Sequence, residues 1–259
     1  MPVAPLLALR GVCKRFGGVQ ALTDVELEIR AGEVVALVGD NGAGKTTLAK
    51  VIAGVGPADT GVIEWKGRAV EIKRPYDAQE LGITAVYQDL AMCDSLDIVG
   101  NLFLGREIHK LGVLDEVEME RRARELMRTL TVRIPDARLP VSSLSAGQRQ
   151  AVAISRSLLG APKVLLLDEP TAALGMEQTS RLLDLVEELR DRGLGILLIS
   201  HNMGDIKAVA DRVAVLRLGR NNGLFEVNTT SQEQIVCAIT GAADDLVAHR
   251  MPSAQEVQP

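Results

Sequence analysis

A glycine-rich segment offers the clearest chemistry in this sequence. It reads Gly39-Asp40-Asn41-Gly42-Ala43-Gly44-Lys45-Thr46-Thr47 and stands between an apolar run and a helical pattern. Binding of a phosphate needs backbone N–H groups turned inward around the anion, and glycines permit both that turn and a close approach. The helix after the segment adds the positive end of its dipole. We therefore predict a phosphate-binding loop, in which Lys45 reaches the β- and γ-phosphates and Thr46 binds Mg²⁺.

Two neighbouring carboxylates form a second candidate site. Asp168 and Glu169 directly follow the apolar run Val164–Leu167. A carboxylate at the C-terminal end of a strand can hold Mg²⁺, directly or through water, beside a phosphate-binding loop. The next carboxylate, Glu169, is placed to polarise an attacking water. The alternative is a pair of solvated acids before a turn at Pro170, and the phosphate-binding loop favours the functional interpretation.

The segment Leu144-Ser145-Ala146-Gly147-Gln148 is a third candidate. Ser145 and Gln148 have the spacing of a capping box, so the simplest interpretation is a helix N-cap with no further role. A helix start that contains a glycine is also a good seat for a phosphate group. Taken alone, the segment favours the cap.

Apolar runs predict the strands that must position these residues. Val34–Val38, Val164–Leu167 and Ile196–Ile199 are continuously apolar, as is typical of strands buried on both faces of a parallel sheet. Val25–Arg30 alternates apolar and charged residues, the pattern of a half-buried strand. It predicts an antiparallel sheet close to the N-terminus, with further strands near Leu6–Val12 and Val62–Trp65.

Apolar stripes at helical spacing predict two helices between the strands. Asp115 and Glu118 can form a capping box before the first stripe, which consists of Met119, Ala123, Leu126, Met127 and Leu130. The second stripe ends at Gly193 and consists of Leu182, Leu185, Val186 and Leu189. The element order predicts a mixed sheet, a phosphate-loop strand and helix, a largely helical insertion and a return to βα units.

Composition narrows the classes of protein that this chain could represent. Its 259 residues are 47% hydrophobic, enough for a sizeable core, but no apolar run approaches the ~18 to 20 residues that span a bilayer. The N-terminus lacks a basic region followed by a long apolar core, so we expect no secretory signal and a soluble, cytosolic chain. A net charge of −5 and 2% aromatic residues argue against nucleic-acid binding. The 3 separated cysteines indicate reduced thiols.

Together these segments resemble the ATP-binding subunit of ABC transporters. That family combines a P-loop, a glutamine before a helical insertion, an LSGGQ-type signature, a strand ending in Asp-Glu and a switch histidine. Here they are Gly39–Thr47, Gln88, Leu144–Gln148, Val164–Glu169 and His201, and order and spacing agree from about Val3 to Gly219. The resemblance implies an α/β fold: a P-loop NTPase core with a mixed, largely parallel sheet, an N-terminal antiparallel β subdomain and a helical ABC subdomain.

The resemblance also implies a division of the chain. Residues 1–240 would form the ABC ATPase domain, with the helical subdomain at roughly 89–160 inserted in a RecA-like core. For residues 241–259 we expect a polar C-terminal tail that is partly disordered.

Roles for single residues follow from the same resemblance. Phe16 matches the aromatic residue that stacks on adenine, although a core position is the alternative for a phenylalanine. Gln88 matches the residue that contacts Mg²⁺ or the attacking water and senses the membrane subunit; an ordinary surface glutamine is the alternative. His201 matches the histidine that contacts the γ-phosphate, with a structural histidine as the alternative. Catalysis would rest on Glu169, His201 and Gln88, and Mg²⁺ on Thr46, Gln88 and Asp168.

The signature segment implies a second subunit. Ser145 and Gly147 would bind the γ-phosphate of an ATP held by another subunit, with Gln148 in the same contact region. Two ATP molecules would then be sandwiched in a head-to-tail dimer, and one chain would supply half of each site. Two positions depart from the family. Ala146 replaces a common glycine, a change that we expect function to survive, and Gly175 replaces an aspartate that helps the two sites communicate.

Within the family, the chain looks like the ATPases of bacterial monosaccharide importers of the ribose, xylose and fructose type. The likeness rests on Asp40–Ala43, Tyr87–Leu90, Asn101–Glu107 and Asp168–Gly175. It implies ATP hydrolysis that powers sugar uptake. The implied partners are a permease that docks on Gln88 to about Arg106, a second ATPase subunit in a homodimer and, indirectly, a periplasmic sugar-binding protein. The chain would lie in the cytoplasm, peripheral on the inner face of the cell membrane.

Other interpretations stay open from the sequence. The subunit could import another solute, such as a nucleoside or a branched-chain amino acid, or act in export, because partners choose the substrate. A soluble ABC protein that acts on ribosomes or DNA is a third class. A regulatory subunit would bind ATP without turnover.

Overall fold

The computed structural model describes residues 4–128 and 136–242. Its strands, in chain order, are β1 Leu7–Phe16, β2 Val19–Ile29, β3 Glu33–Val38, β4 Thr60–Trp65, β5 Arg68–Val70, β6 Ile83–Val86, β7 His109–Lys110, β8 Val113–Leu114, β9 Val164–Asp168, β10 Gly195–Ile199, β11 Arg212–Arg217 and β12 Arg220–Glu226. Its α-helices are α1 Lys45–Ile52, α2 Pro75–Leu81, α3 Ile98–Phe103, α4 Glu116–Arg128, α5 Ala146–Leu158, α6 Met176–Asp191, α7 Met203–Val209 and α8 Gln232–Thr240.

The central sheet has six strands in the order β12-β11-β3-β10-β9-β6. The strands from β11 to β6 run parallel, and β12 pairs antiparallel with β11 at one edge. β3, β9 and β10 are buried along their whole length, which confirms the prediction from their continuous apolar runs. The carboxyl ends of these strands form the edge at which open α/β sheets bind ligands.

Helices cover both faces of the central sheet. On one face, α1 buries Leu48 and Ile52 in the same cluster as Leu37 and Leu166 of the sheet. On the other face, α6 buries its predicted stripe of Leu182, Leu185, Val186 and Leu189. Truncation of a fully buried leucine in such a layer costs about 2–5 kcal/mol. The two layers therefore hold the carboxyl ends of the strands in fixed positions.

An antiparallel sheet of order β2-β1-β4-β5 lies beside this core. Val25, Leu27 and Ile29 of β2 are buried, whereas Glu26 between them is exposed, so the predicted alternation is confirmed. The side chains of β1 and β2 share their apolar cluster with α1. Asn221 of β12 joins the two sheets, because its side-chain amide accepts from the N–H of Glu26 at 2.7 Å and donates to the Glu26 carbonyl at 2.9 Å.

The helices α3, α4 and α5 form a further apolar cluster in the stretch between β6 and β9. It includes Ile98, Leu102, Ala123 and Val152. Asp115 accepts a hydrogen bond from the N–H of Glu118 at 3.1 Å before α4, which is one half of the predicted capping box. The other half is not formed, because the N–H of Asp115 donates to the carbonyl oxygen of Ile108. The Glu118 carboxylate itself binds arginines of α4. Leu130 of the predicted stripe lies outside the described residues.

The division into an ATPase domain at 1–240 and a helical subdomain at roughly 89–160 stays a prediction. The predicted tail at 241–259 lies outside the described residues from 243 onward. Across the described ranges, no helix combines the length and the apolar character that crossing a membrane requires.

Candidate nucleotide site

The glycine-rich loop links β3 to α1 in a conformation that needs glycine. Gly39 has a φ of 150°, and a Cβ there would lie 2.2 Å from the carbonyl oxygen of Leu216. Gly44 has a φ of 105°, and a Cβ there would lie 2.9 Å from the carbonyl oxygen of Ala21. Larger residues at either position would push the loop away from β11 or β2. The helix α1 begins directly after Gly44, as the sequence predicted.

Lys45 places the positive charge of the loop. Its Nζ donates to the carbonyl oxygens of Gly39 at 2.6 Å and Asp40 at 3.0 Å. The ammonium group at the end of the glycine-rich loop is thus bonded to the backbone at the start of that loop. The first turn of α1 adds N–H groups that point out of the helix end. A cation beside a helix N-terminus is suited to the phosphates of a nucleotide.

Residues from distant parts of the chain surround this loop. A cavity of about 600 Å³ is lined by Asn41 to Thr47 together with Gln88, Asp168, Glu169 and His201. The carboxyl ends of β6, β9 and β10 bring these four side chains to the loop, because the strands are neighbours in the sheet. The structure also adds lining residues that sequence reasoning missed, since they belong to no motif, among them Val19, Gln20, Ala21, Leu218 and Gly219.

Asp168 is the buried carboxylate of the site. Only 8% of the residue is exposed, and burial raises its pKa, with a further increase from the neighbouring Glu169 charge. Lys45, Lys50 and a hydrogen bond from the Thr46 hydroxyl oppose that rise. A hydroxyl and a carboxylate in contact are the hard oxygen ligands that Mg²⁺ prefers. The pair therefore fits Mg²⁺ held jointly with phosphate oxygens.

Glu169 and His201 form a direct pair at the mouth of the cavity. His201 Nδ1 lies 2.8 Å from Glu169 Oε2, and Nδ1 donates when it carries the proton. Glu169 adopts a φ of 51°, which is uncommon for a residue with a side chain. Its N–H donates to the carbonyl oxygen of Ile199 at 2.9 Å. The backbone of β10 thus fixes the orientation of Glu169, which no local sequence pattern indicates.

A second bond reinforces this arrangement. The Thr171 hydroxyl donates to Asp205 Oδ2 at 2.6 Å, and Asp205 of α7 is only 6% exposed. The bond ties the turn after Glu169 to the helix that follows His201. Sequence reasoning missed the pair because 34 residues separate its members.

Phe16 lies at the end of the β1–β2 hairpin and does not line the cavity. It is 55% exposed, so the alternative of a core phenylalanine is wrong. The ring faces the Lys14 ammonium at 5.5 Å. Its pairing partner across the hairpin is Val19, a lining residue, so Phe16 stands beside the rim of the cavity. An adenine-stacking role stays a prediction.

The signature residues lie elsewhere. Ser145 caps α5 by accepting from the N–H of Gln148 at 3.3 Å, and the Gln148 side chain accepts from the N–H of Ser145 at 3.0 Å. This is the predicted capping box. Ser145, Gly147 and Gln148 line a separate cavity of about 340 Å³ against α6. Within one chain, the structure does not bring them to the phosphate-binding loop.

Comparison with known proteins identifies the family. A family model described as "ABC transporter" matches residues 22–172. The xylose/arabinose import ATP-binding protein XylG of Sulfolobus acidocaldarius is 43% identical over 93% of this chain and 96% of its own length. The fructose import ATP-binding protein FrcA of Rhizobium meliloti is 40% identical over 94% of this chain and 97% of its own length.

The chain belongs to the ABC transporter family. It is an ATP-binding cassette and an ATPase, as the resemblance in its sequence implied. An ATP-binding cassette solved in its ADP conformation superposes with a TM-score of 0.80 at 24% identity, over 95% of this chain and 99% of that one, and supports the fold. The chain covers 47% of a putative ribose/galactose/methyl galactoside import ATP-binding protein of Burkholderia lata, to which it is 42% identical.

Proposed function

We propose that this cassette hydrolyses ATP to power the import of a monosaccharide through a membrane permease. The observation that carries the proposal is sequence identity of 40–43%, over nearly the full chain, to proteins named for import of xylose, arabinose and fructose. The assembled cavity supplies the groups that hydrolysis needs. Substrate choice rests with the partners, so the sugar itself is inferred from these relatives.

In the proposed reaction, Lys45 and the N-terminus of α1 hold the β- and γ-phosphates of ATP. Mg²⁺ held by Thr46, Asp168 and Gln88 would neutralise charge on the β- and γ-oxygens. Glu169 orients and polarises the attacking water. His201, already in contact with Glu169, fixes that carboxylate and faces the γ-phosphate.

We further propose that two copies of the chain complete each site. The separation of Ser145 and Gly147 from the phosphate-binding loop supports this arrangement, because residues of one chain line two different cavities. A cassette of similar fold, 25% identical with a TM-score of 0.72 over 85% of this chain and 98% of that one, has been solved as a dimer bound to ADP and Pi. In a head-to-tail dimer, the start of α5 from one copy would cover the nucleotide of the other.

A third cavity suits the permease. It measures about 460 Å³ and lies where the α3–α5 stretch meets β6 and α2. Its lining includes Tyr87, Asp89–Ala91 and Leu104–Arg106. All of these except Tyr87, which directly precedes it, lie within the segment from Gln88 to Arg106 that was predicted to dock the permease. We refer to this cavity as the docking cleft. A cytoplasmic loop of the permease would seat there and hold the cassette on the inner face of the membrane.

Reconstitution tests the proposal. The cassette is purified with its permease, placed in liposomes and supplied with a binding protein loaded with a labelled pentose or hexose. We expect phosphate release and uptake of label to rise together, and only with all components present. ATP turnover that ignores permease and loaded binding protein would refute coupling. Uptake of a labelled nucleoside or amino acid instead of the sugar would refute the substrate class.

A further inference from the structure

The exposed ring of Phe16 has a cation against one of its faces. Lys14 lies two residues before Phe16 in β1, and its ammonium stands over the ring at 5.5 Å from the ring centroid. This distance is within the range of a cation–π attraction. Phe16 is 55% exposed, so much of the ring surface is accessible. Because Lys14 takes one face, a planar ligand can stack only on the opposite face.

The Lys14 ammonium is held in place by hydrogen bonds. Its side chain is only 12% exposed, which is uncommon for a lysine. Nζ donates to the carbonyl oxygen of Pro57 at 2.7 Å and to Asp59 Oδ1 at 2.8 Å. The other carboxylate oxygen, Oδ2, accepts from the N–H of Arg15 at 2.6 Å. The bonds from Lys14 and Arg15 hold the pKa of Asp59 below its usual range, so the carboxylate stays ionised at neutral pH.

Asp59 connects this aromatic position to the phosphate end of the site. It follows α1, the helix that begins with Lys45. The N–H of Asp59 donates to the carbonyl oxygen of Cys13 at 2.9 Å, so both the backbone and the side chain of Asp59 hold the end of β1. Phe16 pairs across the hairpin with Val19, which lines the nucleotide cavity. The ring is thereby fixed relative to the phosphate-binding loop.

We propose that Lys14, held by Asp59, is a positioning residue for the nucleoside: it fixes the Phe16 ring from one face, so that the adenine of ATP stacks on the other. A cation and a purine on opposite faces each attract the ring. The bonds of Lys14 to the segment after α1 place the ring before ATP arrives, which reduces the entropy lost on binding. The inference deepens the prediction that Phe16 stacks on adenine. It goes beyond the proposed function, because it does not involve transport.

Titration of the isolated chain with ADP and with inorganic pyrophosphate, both in the presence of Mg²⁺, tests the role of Lys14. The two ligands share a diphosphate and differ in the nucleoside, and neither carries a γ-phosphate. The readout is the affinity ratio, the Kd of pyrophosphate divided by the Kd of ADP. Lys14→Met removes the cation and keeps an unbranched side chain, and we expect it to lower this ratio by about two- to fivefold through weaker ADP binding alone. Asp59→Ala should lower the ratio to a similar extent.

The chain offers a matched control in the same antiparallel sheet. The Lys66 ammonium faces the Trp65 ring at 5.8 Å, at the end of β4. Neither residue lines the nucleotide cavity. Lys66→Met makes the same change of charge and removes an equivalent cation–π contact, so it should leave both affinities unchanged.

A double-mutant cycle separates an action through the ring from a merely structural role. Phe16→Leu should lower the affinity ratio by about tenfold, because stacking of a base on an aromatic ring contributes about that much. If Lys14 acts through the ring, Lys14→Met should have no further effect in the Phe16→Leu background. The same loss in both backgrounds would overturn the inference. Equal loss of ADP and pyrophosphate affinity in Lys14→Met would overturn it too, as would an undiminished ratio in Lys14→Met or Asp59→Ala.

The outcomes also distinguish this inference from the proposed function. An unchanged affinity ratio in Phe16→Leu would mean that adenine does not stack on this ring, so the inference would fail while ATP-driven import would stand. If the reconstituted cassette imports no sugar but Lys14→Met lowers the ratio as expected, the proposed function fails and the role of Lys14 stands.

Discussion

The two regions proposed to meet around ATP are built in different ways. The nucleotide cavity gathers one lysine, two carboxylates and a histidine at the ends of buried parallel strands. The signature region presents neutral groups, Ser145, Gly147 and Gln148, at the start of one helix, α5. The first region has the charges to bind a nucleotide within one chain. The second region offers a helix N-terminus whose capping residues, Ser145 and Gln148, are uncharged. Such a surface suits a contact that forms only after ATP is bound to the other region.

The largest expected effect comes from Glu169→Gln. The amide keeps the size of the side chain but cannot accept a proton, so phosphate release should fall by about 10²- to 10⁴-fold while ATP stays bound. Single-turnover phosphate release and nucleotide binding by the same dimer measure both quantities. Turnover close to that of the wild type would remove Glu169 from the role of base.

Lys45→Ala and Ser145→Ala test the contrast between the two regions directly. Loss of the ammonium should weaken ATP binding to the isolated chain by about 10- to 100-fold, because hydrogen bonds to charged groups contribute about 1.5–3 kcal/mol. Ser145→Ala should leave that affinity unchanged and lower only the turnover of the dimer. Titration of each variant with a fluorescent ATP analogue checks the first statement.

Mixed dimers then show whether the regions work across the interface. A dimer that combines a Lys45→Ala chain with a Ser145→Ala chain keeps one intact composite site, and we expect about half of the wild-type turnover if the two sites act independently. A dimer of a wild-type chain and a chain that carries both Lys45→Ala and Ser145→Ala has no intact composite site and should be nearly inactive. Equal activity of the two mixtures would contradict the head-to-tail arrangement.

Thr171→Val should have a moderate effect on the strand-end region. It removes the hydrogen bond to buried Asp205, and an unsatisfied buried acceptor costs about 1–3 kcal/mol. Because the bond orients the segment with Glu169, we expect kcat to fall several-fold with KM for ATP unchanged, and Thr171→Ser to restore most of the rate. A rise in KM alone would place Thr171 in ATP binding instead.

Asp168→Asn should separate stability from function in the same region. Burial raises the pKa of Asp168, so its ionised form is less favourable in the folded state than in the unfolded chain. The free energy of unfolding of the wild type therefore falls as pH rises through the raised pKa of the folded state. This loss of stability is absent at pH values below the pKa of Asp168 in the unfolded chain. We expect the variant to unfold at a higher temperature than the wild type at neutral pH, but not at low pH. A lower unfolding temperature at neutral pH would contradict this.

The smallest effect is expected from Gly175→Asp beside the signature region. Gly175 is the N-cap of α6, with a φ of −75°, and a Cβ there would meet nothing within 4 Å. The substitution should stabilise the helix by about a few tenths of a kcal/mol. It should also increase the cooperativity of ATP hydrolysis between the two sites, measured as a Hill coefficient, whereas an unchanged coefficient would mean that residue 175 does not limit their communication.

Local chemistry explains what the sequence by itself determined. Glycines with a following lysine, a serine three residues before a glutamine, and apolar runs of strand length each act over a few neighbouring residues. The loop from Gly39 to Thr47, the cap at Ser145 and the parallel strands could therefore be predicted. The family resemblance added Gln88 and His201 as candidates, which local patterns do not single out.

Only the tertiary structure decided how these pieces meet. The sheet order places Glu169 against His201, and the turn after β9 places Thr171 against Asp205, although 32 and 34 residues separate the pairs. The tertiary structure also keeps Ser145 away from the phosphate-binding loop and exposes Phe16. It places the neighbouring residues Tyr87 and Gln88 in the linings of two different cavities. Such contacts depend on which strands become neighbours and on how far each backbone can turn. These are properties of the packed chain, and no stretch of a few residues encodes them.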